Sequence, residues 1–437
     1  MTNSNGGAVI ECCKGFLSSP TYIDVFSGCG GLSLGLARGN WRGLLAVEKD
    51  PWAFNTYKHN LIEGKYRNSF DWPDGIELKP WDIQKLLDTH THELSQMAGA
   101  VDLVVGGPPC QGYSMAGRRN QADPRNRLYE AYIQLLHLVQ PSLICFENVT
   151  GFTNNFPVDA EESIRNFATE LERKLENKYT INSTIINTRD FGVPQARKRY
   201  ILVGANKDMQ SASRIHDFFL ELSQNVEIFL NSKGLPHCPT VKDAIGDLEL
   251  SGNGKSPSIQ FPGFDSIRYK SPQTSYQIGM HDGLDGTPSD LRLPRHRKHI
   301  IERFESIISH CREDGCPGVT VPEKIREMHG LKKHTVRILK SQGVAPTLTS
   351  LPEDLLHYSE PRILTVREYA RLQSFPDWFS FKGNYTTGGH KRSQETPRYT
   401  QVADAVPPLV SEQIGIILLS ILTNVPPRKL LEEIIAD

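Results

Sequence analysis

The first half of the chain alternates short apolar runs with stretches of helical periodicity. Six runs read as strands, at residues 22–26, 44–48, 101–105, 143–146, 181–186 and 200–204. Between them, 128–139 and 161–175 have the apolar spacing of amphipathic helices. The alternation predicts an α/β fold built on a doubly wound, mostly parallel sheet, in which functional sites gather at the carboxyl ends of the strands.

The hydrophobic pattern loosens from about residue 206. Residues 232–297 are rich in Gly, Pro and Ser, and 251–257 read as a plain loop. Helical periodicity returns at 299–310 and 365–374, and an apolar last helix at 409–422 is expected to pack on a core. We therefore predict two domains: a catalytic, cofactor-binding domain at 1–205 that is completed by 398–437, and a second, smaller domain at 206–397.

Composition is that of an ordinary enzyme, with 38% hydrophobic and 23% charged residues among 437. We find no stretch approaching the ~18 uncharged apolar residues of a membrane span. The first seven residues do not resemble a secretory signal. The chain is therefore expected to be cytoplasmic.

The positions of charged residues and cysteines indicate which ligands the chain could bind. The net charge is -1, yet residues 266–343 carry 14 Lys+Arg against 9 Asp+Glu, which suits either a phosphate-facing surface or a solvated charged face. Eight cysteines include no Cys-x-x-Cys pair. Cys311 and Cys316, with His310, lack the remaining partners of a zinc site, so we expect no metal.

Two strand ends carry candidate chemistry. Cys110 follows the run at 101–105 in a turn with two prolines and flanking glycines, which fix the backbone and allow close approach of a ligand. Glu147 ends the run at 143–146. A thiol and an acid at neighbouring strand ends indicate covalent catalysis assisted by proton donation.

A glycine-rich turn follows the first strand, in residues 24–35. Such a turn, together with the amide groups of the next helix, binds nucleotide-like cofactors. Glu48 ends the second strand, where an acid binds ribose hydroxyls. This pattern alone fits NAD, FAD or S-adenosylmethionine equally.

Several motifs, taken in order, resemble the DNA (cytosine-5) methyltransferase family. They are Pro-Pro-Cys-Gln at 108–111, Glu-Asn-Val at 147–149 and Gln-x-Arg-x-Arg at 195–199, together with the glycine turn. The resemblance implies an S-adenosylmethionine-dependent methyltransferase fold whose smaller domain recognises the DNA target. It also implies that Cys110 attacks carbon 6 of a flipped-out cytosine and that Glu147 holds the N3 proton. Arg197 and Arg199 would hold cytosine O2 and a phosphate. The base that removes the carbon-5 proton stays open between a water and a side chain.

The same resemblance implies binding residues for cofactor and DNA. The expected cofactor-binding residues are Asp24, Phe26, Ser27, Gly28, Gly30, Gly31, Glu48, Asp82, Ile83, Pro109, Asp404 and Ala405. The expected DNA-binding residues are Gln111, Ser114, Arg118, Arg119, Gln195, Arg337, Thr347 and Thr349. For Asp82, a helix N-cap is the alternative role.

One position departs from the family. Asp404 stands where the family usually has Asn, close to the methionine end of the cofactor, so the effect on cofactor affinity is open.

Two alternative functions remain: a tRNA cytosine-5 methyltransferase and a non-catalytic DNA-binding homologue. The expected partners are double-stranded DNA and a restriction or phage-defence system. We expect a monomer, associated with the nucleoid.

Overall fold

The computed structural model describes residues 19–109, 128–157, 164–386 and 395–436. Their strands are β1 Thr21–Val25, β2 Arg42–Val47, β3 Leu103–Gly106, β4 Leu143–Val149, β5 Phe156–Pro157, β6 Ile164–Arg165, β7 Tyr179–Asn187, β8 Gln195–Ala196, β9 Lys198–Asn206, β10 Lys255–Pro257, β11 Asp265–Ile267, β12 Arg337–Ile338, β13 Ala345–Pro346 and β14 Leu355–Leu356. Their α-helices are α1 Gly31–Arg38, α2 Pro51–Tyr57, α3 Ile83–Thr89, α4 Thr91–Gln96, α5 Leu128–Val139, α6 Phe167–Leu175, α7 Phe218–Ser232, α8 Val241–Ile245, α9 Leu250–Asn253, α10 Ser275–His281, α11 Lys298–Glu313, α12 Glu323–Met328, α13 Val366–Leu372, α14 Arg398–Asp404, α15 Pro408–Thr423 and α16 Pro427–Ala436.

A six-stranded sheet organises the first half of the chain, in the order β2-β1-β3-β4-β9-β7. The pairings among β2, β1, β3 and β4 are parallel, whereas β9 runs antiparallel to both β4 and β7. All six predicted strands are present, and the mostly parallel α/β sheet is confirmed. The antiparallel β9 brings residues 197–199, at its start, beside the carboxyl end of β4.

Apolar side chains cover both faces of this sheet. One core joins α1, α7 and α15 to Tyr22, Leu103 and Ile201, and the other joins α3, α5 and α6 to Ile23, Val104 and Leu202. The alternation of neighbouring strand residues between the two cores follows from the period of two in a β-strand. Both faces are therefore buried, as expected for a doubly wound sheet.

Helix α15 confirms the predicted apolar helix at the end of the chain. With α14 it forms a stretch, Arg398–Thr423, that is apolar and long enough to cross a membrane by length and composition alone. We therefore correct the expectation that no segment approaches such a length. An 18-residue window of this stretch is 89% buried, so it is accounted for as a core helix.

Two glycines of α1 allow it to lie directly against α15 and the turn before it. A Cβ added to Gly31 would lie 2.3 Å from the Val406 carbonyl oxygen, and one added to Gly35 would lie 2.2 Å from Ser411 Oγ. No other side chain fits at these distances. The packing carries residues 404–406 to the glycine turn, which places the end of the chain beside the predicted cofactor pocket.

The region after residue 206 holds more regular structure than predicted. Helices α8, α9 and α10 and the hairpin β10–β11 lie within 232–297, and 251–257 include parts of α9 and β10 rather than a plain loop. These elements have three to seven residues, too short for periodicity to reveal. The predicted helices α11 and α13 are present, and the Thr365–Glu368 capping box of α13 is confirmed.

The packing of α7 on α15 indicates where the first domain ends. Arg214, in the segment before α7, donates from Nη1 to the Ser420 carbonyl oxygen at 2.8 Å, and α7 shares the core of α15. A separate small core forms around α11, α12, β12 and β14. The proposed boundary at 206 stays a prediction, and this packing favours a later one near 232.

Candidate active site

The carboxyl ends of β3 and β4 meet closely enough to exclude a side chain between them. A Cβ added to Gly107 would lie 2.8 Å from Glu147 Oε2. The Asn148 side chain is buried, and its Nδ2 donates to the Pro108 carbonyl oxygen at 3.1 Å. Asn148 therefore holds the segment that enters residue 110 against the strand end that carries Glu147. Asn148 lies in the Glu-Asn-Val motif but was not among the predicted site residues.

Glu147 and Arg199 form an ion pair, with Arg199 Nε 2.8 Å from Glu147 Oε1. Residue 147 lies opposite Ile201 in the antiparallel pairing of β4 with β9, so Arg199 is its diagonal neighbour on the same face. Each side chain is 12% exposed. The pair is thus partly shielded from water but reachable by a substrate.

Arg197 lies between β8 and β9 and is buried. Its Nη2 donates to the Asp404 carbonyl oxygen at 3.2 Å, while its Nε has no hydrogen-bond partner among the described residues. Burial, followed by repulsion from Arg199, lowers the pKa of Arg197 to about 9. A buried cation with an unused donor is costly unless a ligand satisfies it.

Asp404 ends α14, and it is an exposed residue. The surrounding protein raises the pKa of its carboxyl through loss of hydration, while Arg197 and Arg199 act in the opposite direction and Glu147 raises it. No described residue makes a hydrogen bond or an ion pair with this carboxylate. Glu147, Arg197, Arg199 and Asp404 thus form one group, called the charge cluster below.

The glycine turn between β1 and α1 uses left-handed backbone conformations at Phe26, Gly28 and Gly30, with φ of 60°, 55° and 97°. The Gly28 amide donates to Glu48 Oε2 at 3.0 Å, and the Asp50 amide donates to Glu48 Oε1 at 2.7 Å. These bonds fix the Glu48 carboxylate across the turn. The half-buried Phe26 and Glu48 both border the space at the strand ends.

Two predicted cofactor residues lie beneath this turn. Asp24 is fully buried and accepts from Ser33 Oγ at 2.6 Å, and its Oδ1 has no partner in the described part of the chain. Ser27 is also buried, and no described residue bonds to its Oγ. Burial raises the pKa of Asp24 to about 7. Asp24 therefore supports the turn from below and has no exposed surface with which to contact a ligand in this conformation.

The other predicted cofactor residues occupy the rim of the same space. Asp82 caps α3 by accepting from the Gln84 amide at 3.0 Å, so the alternative role of a helix cap is present. Ile83 is buried, whereas Pro109 is half-buried. A Cβ added to Gly31 would lie 3.1 Å from Ala405 Cβ, so Ala405 packs on the turn.

The structure gives Gln195 an internal role rather than one at DNA. Its side chain is completely buried, its Nε2 donates to Gln373 Oε1 at 2.5 Å, and its Oε1 accepts from the Leu348 amide at 3.0 Å. All of these contacts join β8 to the segments around 348 and 373. We therefore correct the assignment of Gln195 to DNA contact, because its polar atoms are satisfied inside the protein.

The remaining described DNA-binding candidates lie on the second half of the chain. Thr347 is exposed, and Thr349 and Arg337 are half-buried. Thr349 Oγ1 donates to Asp354 Oδ2 at 2.9 Å, and the buried Asp354 also accepts from Thr335 Oγ1 at 2.9 Å. Asp354 joins these two segments, and no sequence signal marked it.

Several predicted residues lie outside the described part of the chain: Cys110, Gln111, Ser114, Arg118 and Arg119. Within the described ranges, no group of three His, Cys, Asp or Glu side chains is placed to hold a metal ion. Cys311 and Cys316 are buried free thiols.

This geometry is that of an α/β enzyme with a cofactor turn and a charged substrate site at adjacent strand ends. A family model described as C-5 cytosine-specific DNA methylase matches residues 21–418. The chain belongs to this family and is a DNA cytosine-5-methyltransferase.

Relatives agree with this assignment. The chain is 30% identical over 427 residues to the type II methyltransferase M1.HphI of Haemophilus parahaemolyticus, covering 95% of this chain and 93% of the relative. It is 28% identical over 405 residues to the type II methyltransferase M.DdeI of Desulfomicrobium norvegicum, covering 90% and 87%. A solved structure, a putative DNA modification methyltransferase encoded within an E. coli prophage, superposes with a TM-score of 0.60 at 25% identity, covering 93% of this chain and all of the other.

Proposed function

We propose that this enzyme transfers a methyl group from S-adenosylmethionine to carbon 5 of a cytosine at a specific site in double-stranded DNA. The target base would leave the stack to reach the charge cluster, which costs a few kcal/mol. Cys110 attacks carbon 6 and Glu147 places a proton at N3. The observation that carries this proposal is the contact of the Glu147 strand end with Gly107 and Pro108, immediately before residue 110.

The Glu147–Arg199 pair suits the pyrimidine edge of cytosine. N3 and O2 are adjacent ring positions, so a carboxyl at N3 and a guanidinium at O2 must themselves be neighbours. The 2.8 Å contact satisfies this requirement and favours Arg199 over Arg197 for O2. A proton at N3 and a cation at O2 accept the electron density that thiolate attack pushes into the ring.

Arg197 is then available for a phosphate or for the charge balance of the cluster. Its unused Nε gives it a donor that the protein does not satisfy. Charge-assisted hydrogen bonds to phosphate are among the strong ones. Because Arg197 is buried, a phosphate that binds it must approach the protein closely at this point.

The residues around the glycine turn fit S-adenosylmethionine. Glu48 is fixed by two amide groups and retains lone pairs for ribose hydroxyls. The unpartnered Ser27 Oγ provides a further polar atom beneath the turn, and Phe26 gives an aromatic surface for adenine. S-adenosylmethionine supplies the methyl group from its sulfonium. The chain's own part is to hold it beside the charge cluster and to limit access of water.

DNA in which the target cytosine is replaced by 5-fluorocytosine tests the covalent mechanism. Fluorine cannot leave carbon 5 as a proton does, so the enzyme should remain bound to the DNA on a denaturing gel when S-adenosylmethionine is present. Cys110→Ala should give no such band and no incorporation of tritiated methyl groups, while it still binds the cofactor.

Two controls make this test decisive. Bisulfite sequencing of DNA from cells that express the protein identifies the methylated site and so supplies the correct oligonucleotide. Cys238→Ala removes an exposed thiol far along the chain and should leave the adduct unchanged. Absence of an adduct on that oligonucleotide, or adduct formation by Cys110→Ala, would contradict the proposed nucleophile.

We further propose that the enzyme acts as a monomer in the cytoplasm, at the nucleoid, together with a restriction or phage-defence system. The type II relatives support this biological context. In this proposal residues 206–397 recognise the DNA target, and Thr347, Thr349 and Arg337 contact it. The positioning of Thr349 by Asp354 supports such a role, because a fixed hydroxyl contacts DNA at a lower entropic cost.

A further inference from the structure

The reaction needs a base that the motifs do not identify. Once carbon 5 carries its methyl group, its proton must leave before the bond from carbon 6 to sulfur can break. The group that accepts this proton must lie where the cofactor pocket meets the cytosine pocket, because carbon 5 belongs to the cytosine and receives the methyl group of the cofactor.

Asp404 lies at this junction. On one side its carbonyl oxygen accepts from Arg197 Nη2 at 3.2 Å, which ties it to the cytosine pocket. On the other side its neighbour Ala405 packs on Gly31 of the cofactor turn, and Asp404 is close enough to raise the pKa of Cys29 in that turn. Asp404 therefore belongs to both pockets.

The Asp404 carboxylate is also available for proton transfer. Asp404 is exposed, the charges that act on its carboxyl are those of Arg197, Arg199 and Glu147, and no described side chain or amide occupies its oxygens. Every other acid of the two pockets has a partner: Glu147 pairs with Arg199, and Glu48 accepts from two amides. Only Asp404 among these acids is both open and uncommitted.

We propose that Asp404 is the general base that removes the carbon-5 proton. This inference rests on the proposed function, since it needs the Cys110 adduct. As the bond between carbon 5 and hydrogen breaks, its electron pair forms the double bond between carbons 5 and 6, and in the same elimination the bond from carbon 6 to sulfur breaks and its pair returns to sulfur. The proton passes to Asp404 and from there to water.

The electrostatic surroundings suit this task. Loss of hydration raises the pKa of Asp404, which makes the carboxylate a stronger base, while Arg197 and Arg199 act in the opposite direction. Glu147 and the Cys29 thiol are the other titratable groups facing it. The family's usual Asn has no basic oxygen, so in such a protein water must accept the proton. The departure at 404 is thus a change in the base rather than a defect.

Single-turnover kinetics on DNA labelled with tritium at carbon 5 separate the two steps. Methyl transfer and tritium release should coincide in the unchanged enzyme. In Asp404→Asn, tritium release at neutral pH should lag methyl transfer by at least about tenfold, which is less than the about 100- to 10,000-fold range of acid–base catalysis because water partly substitutes for the lost base. The methylated covalent adduct should then accumulate on a denaturing gel with ordinary cytosine.

The pH profile gives a second readout that a structural role would not move. Tritium release by the unchanged enzyme should rise with pH and level off once Asp404 is ionised. Asp404→Asn should rise further without this plateau, because hydroxide takes over. Asp208→Asn, an exposed charge change, should behave like the unchanged enzyme.

Trapping on 5-fluorocytosine DNA distinguishes the two proposals. Asp404→Asn and the unchanged enzyme should form this adduct at similar rates, because trapping precedes proton removal. If neither protein forms it, the covalent mechanism itself fails. If both form it, and Asp404→Asn releases tritium without delay, Asp404 is not the base.

Discussion

Two groups of buried or half-buried charges in this molecule differ in how completely they are paired. Around α13, Arg371 uses all five of its N–H groups: it donates to Asp377, Asp247 and the Ala244 carbonyl oxygen. In the charge cluster, Arg197 has an unused Nε and Asp404 has no side-chain partner among the described residues. Both groups consist of arginines and carboxylates, so residue type does not distinguish them.

The difference identifies which charges serve the fold and which serve the reaction. A buried charge that makes all of its hydrogen bonds is held in one position and has no free atom for a substrate. Removing its partner leaves an unpaired charge in the protein interior. A charge that is left partly unpaired is available to a substrate and costs stability until the substrate arrives. Variants in the first group should therefore reduce stability, and variants in the second should reduce activity.

Glu147→Gln should have the largest effect on rate and little on stability. Gln keeps the size of the side chain but cannot deliver a proton to N3, so the single-turnover rate should fall about 100- to 10,000-fold. The free energy of unfolding should change by only about 1 kcal/mol, because the Gln side chain can still accept a hydrogen bond from Arg199 Nε. Glu63→Gln, at an exposed pair, is the matched control. A rate loss below about tenfold would move the acid to another group.

Arg371→Met should have the opposite pattern, with a large loss of stability and little effect on rate. It removes the arginine that binds the buried carboxylates of both Asp377 and Asp247, so the free energy of unfolding should fall by about 3–5 kcal/mol in urea denaturation. Activity per folded molecule should stay close to that of the unchanged enzyme. Arg428→Met, at an exposed i,i+4 pair, should cost less than about 0.5 kcal/mol. If both variants lost the same free energy of unfolding, the number of hydrogen bonds that an arginine makes would not indicate its contribution to stability.

Motifs with local spacing could be predicted from the sequence, and contacts between distant segments could not. The strand ends that carry Glu147 and the glycine turn follow from local hydrophobic runs, and parallel strands gather them at one edge. Asn148 and Asp354 were missed because their partners, Pro108 and Thr349, come from other elements whose approach has no sequence signature.

Gln195 was misassigned for the same reason. Its spacing from Arg197 and Arg199 placed it in a functional motif, but its partners are Leu348 and Gln373, more than 150 residues away in the chain. A motif reports that a residue is constrained, and only its neighbours in space show whether the fold or the substrate constrains it.

Gln195→Met tests this corrected role. Met has a similar volume but leaves the Leu348 amide and Gln373 Oε1 without their bonds to residue 195, so the free energy of unfolding should fall by about 2–3 kcal/mol. DNA affinity per folded molecule should not change. The exposed Thr347→Val should do the opposite, with DNA binding weakened and the free energy of unfolding lowered by no more than about 1 kcal/mol for the lost bond to the Ala196 carbonyl oxygen. A stable Gln195→Met with weak DNA binding would restore the original assignment.

Asp24 shares features of both groups of charges, because it is fully buried yet only one of its oxygens has a partner among the described residues. Its pKa is raised from 3.8 to about 7 by burial, so between these values the folded protein holds a proton that the unfolded chain has lost. Its contribution to stability is present below pH 4 and is lost as pH rises through 7, with a slope approaching about 1.4 kcal/mol per pH unit. Asp24→Asn should remove this slope.

Urea denaturation of the cofactor-free protein at pH 5, 6 and 7 measures the effect as the difference in slope between the two proteins. Glu48, whose pKa burial also raises, contributes to both slopes and cancels. Ser33→Ala removes the hydrogen bond that lowers the pKa of Asp24, so it should move the loss of stability to higher pH. Parallel slopes for the unchanged protein and Asp24→Asn would mean that Asp24 is ionised at no cost, and that the turn above it satisfies its second oxygen.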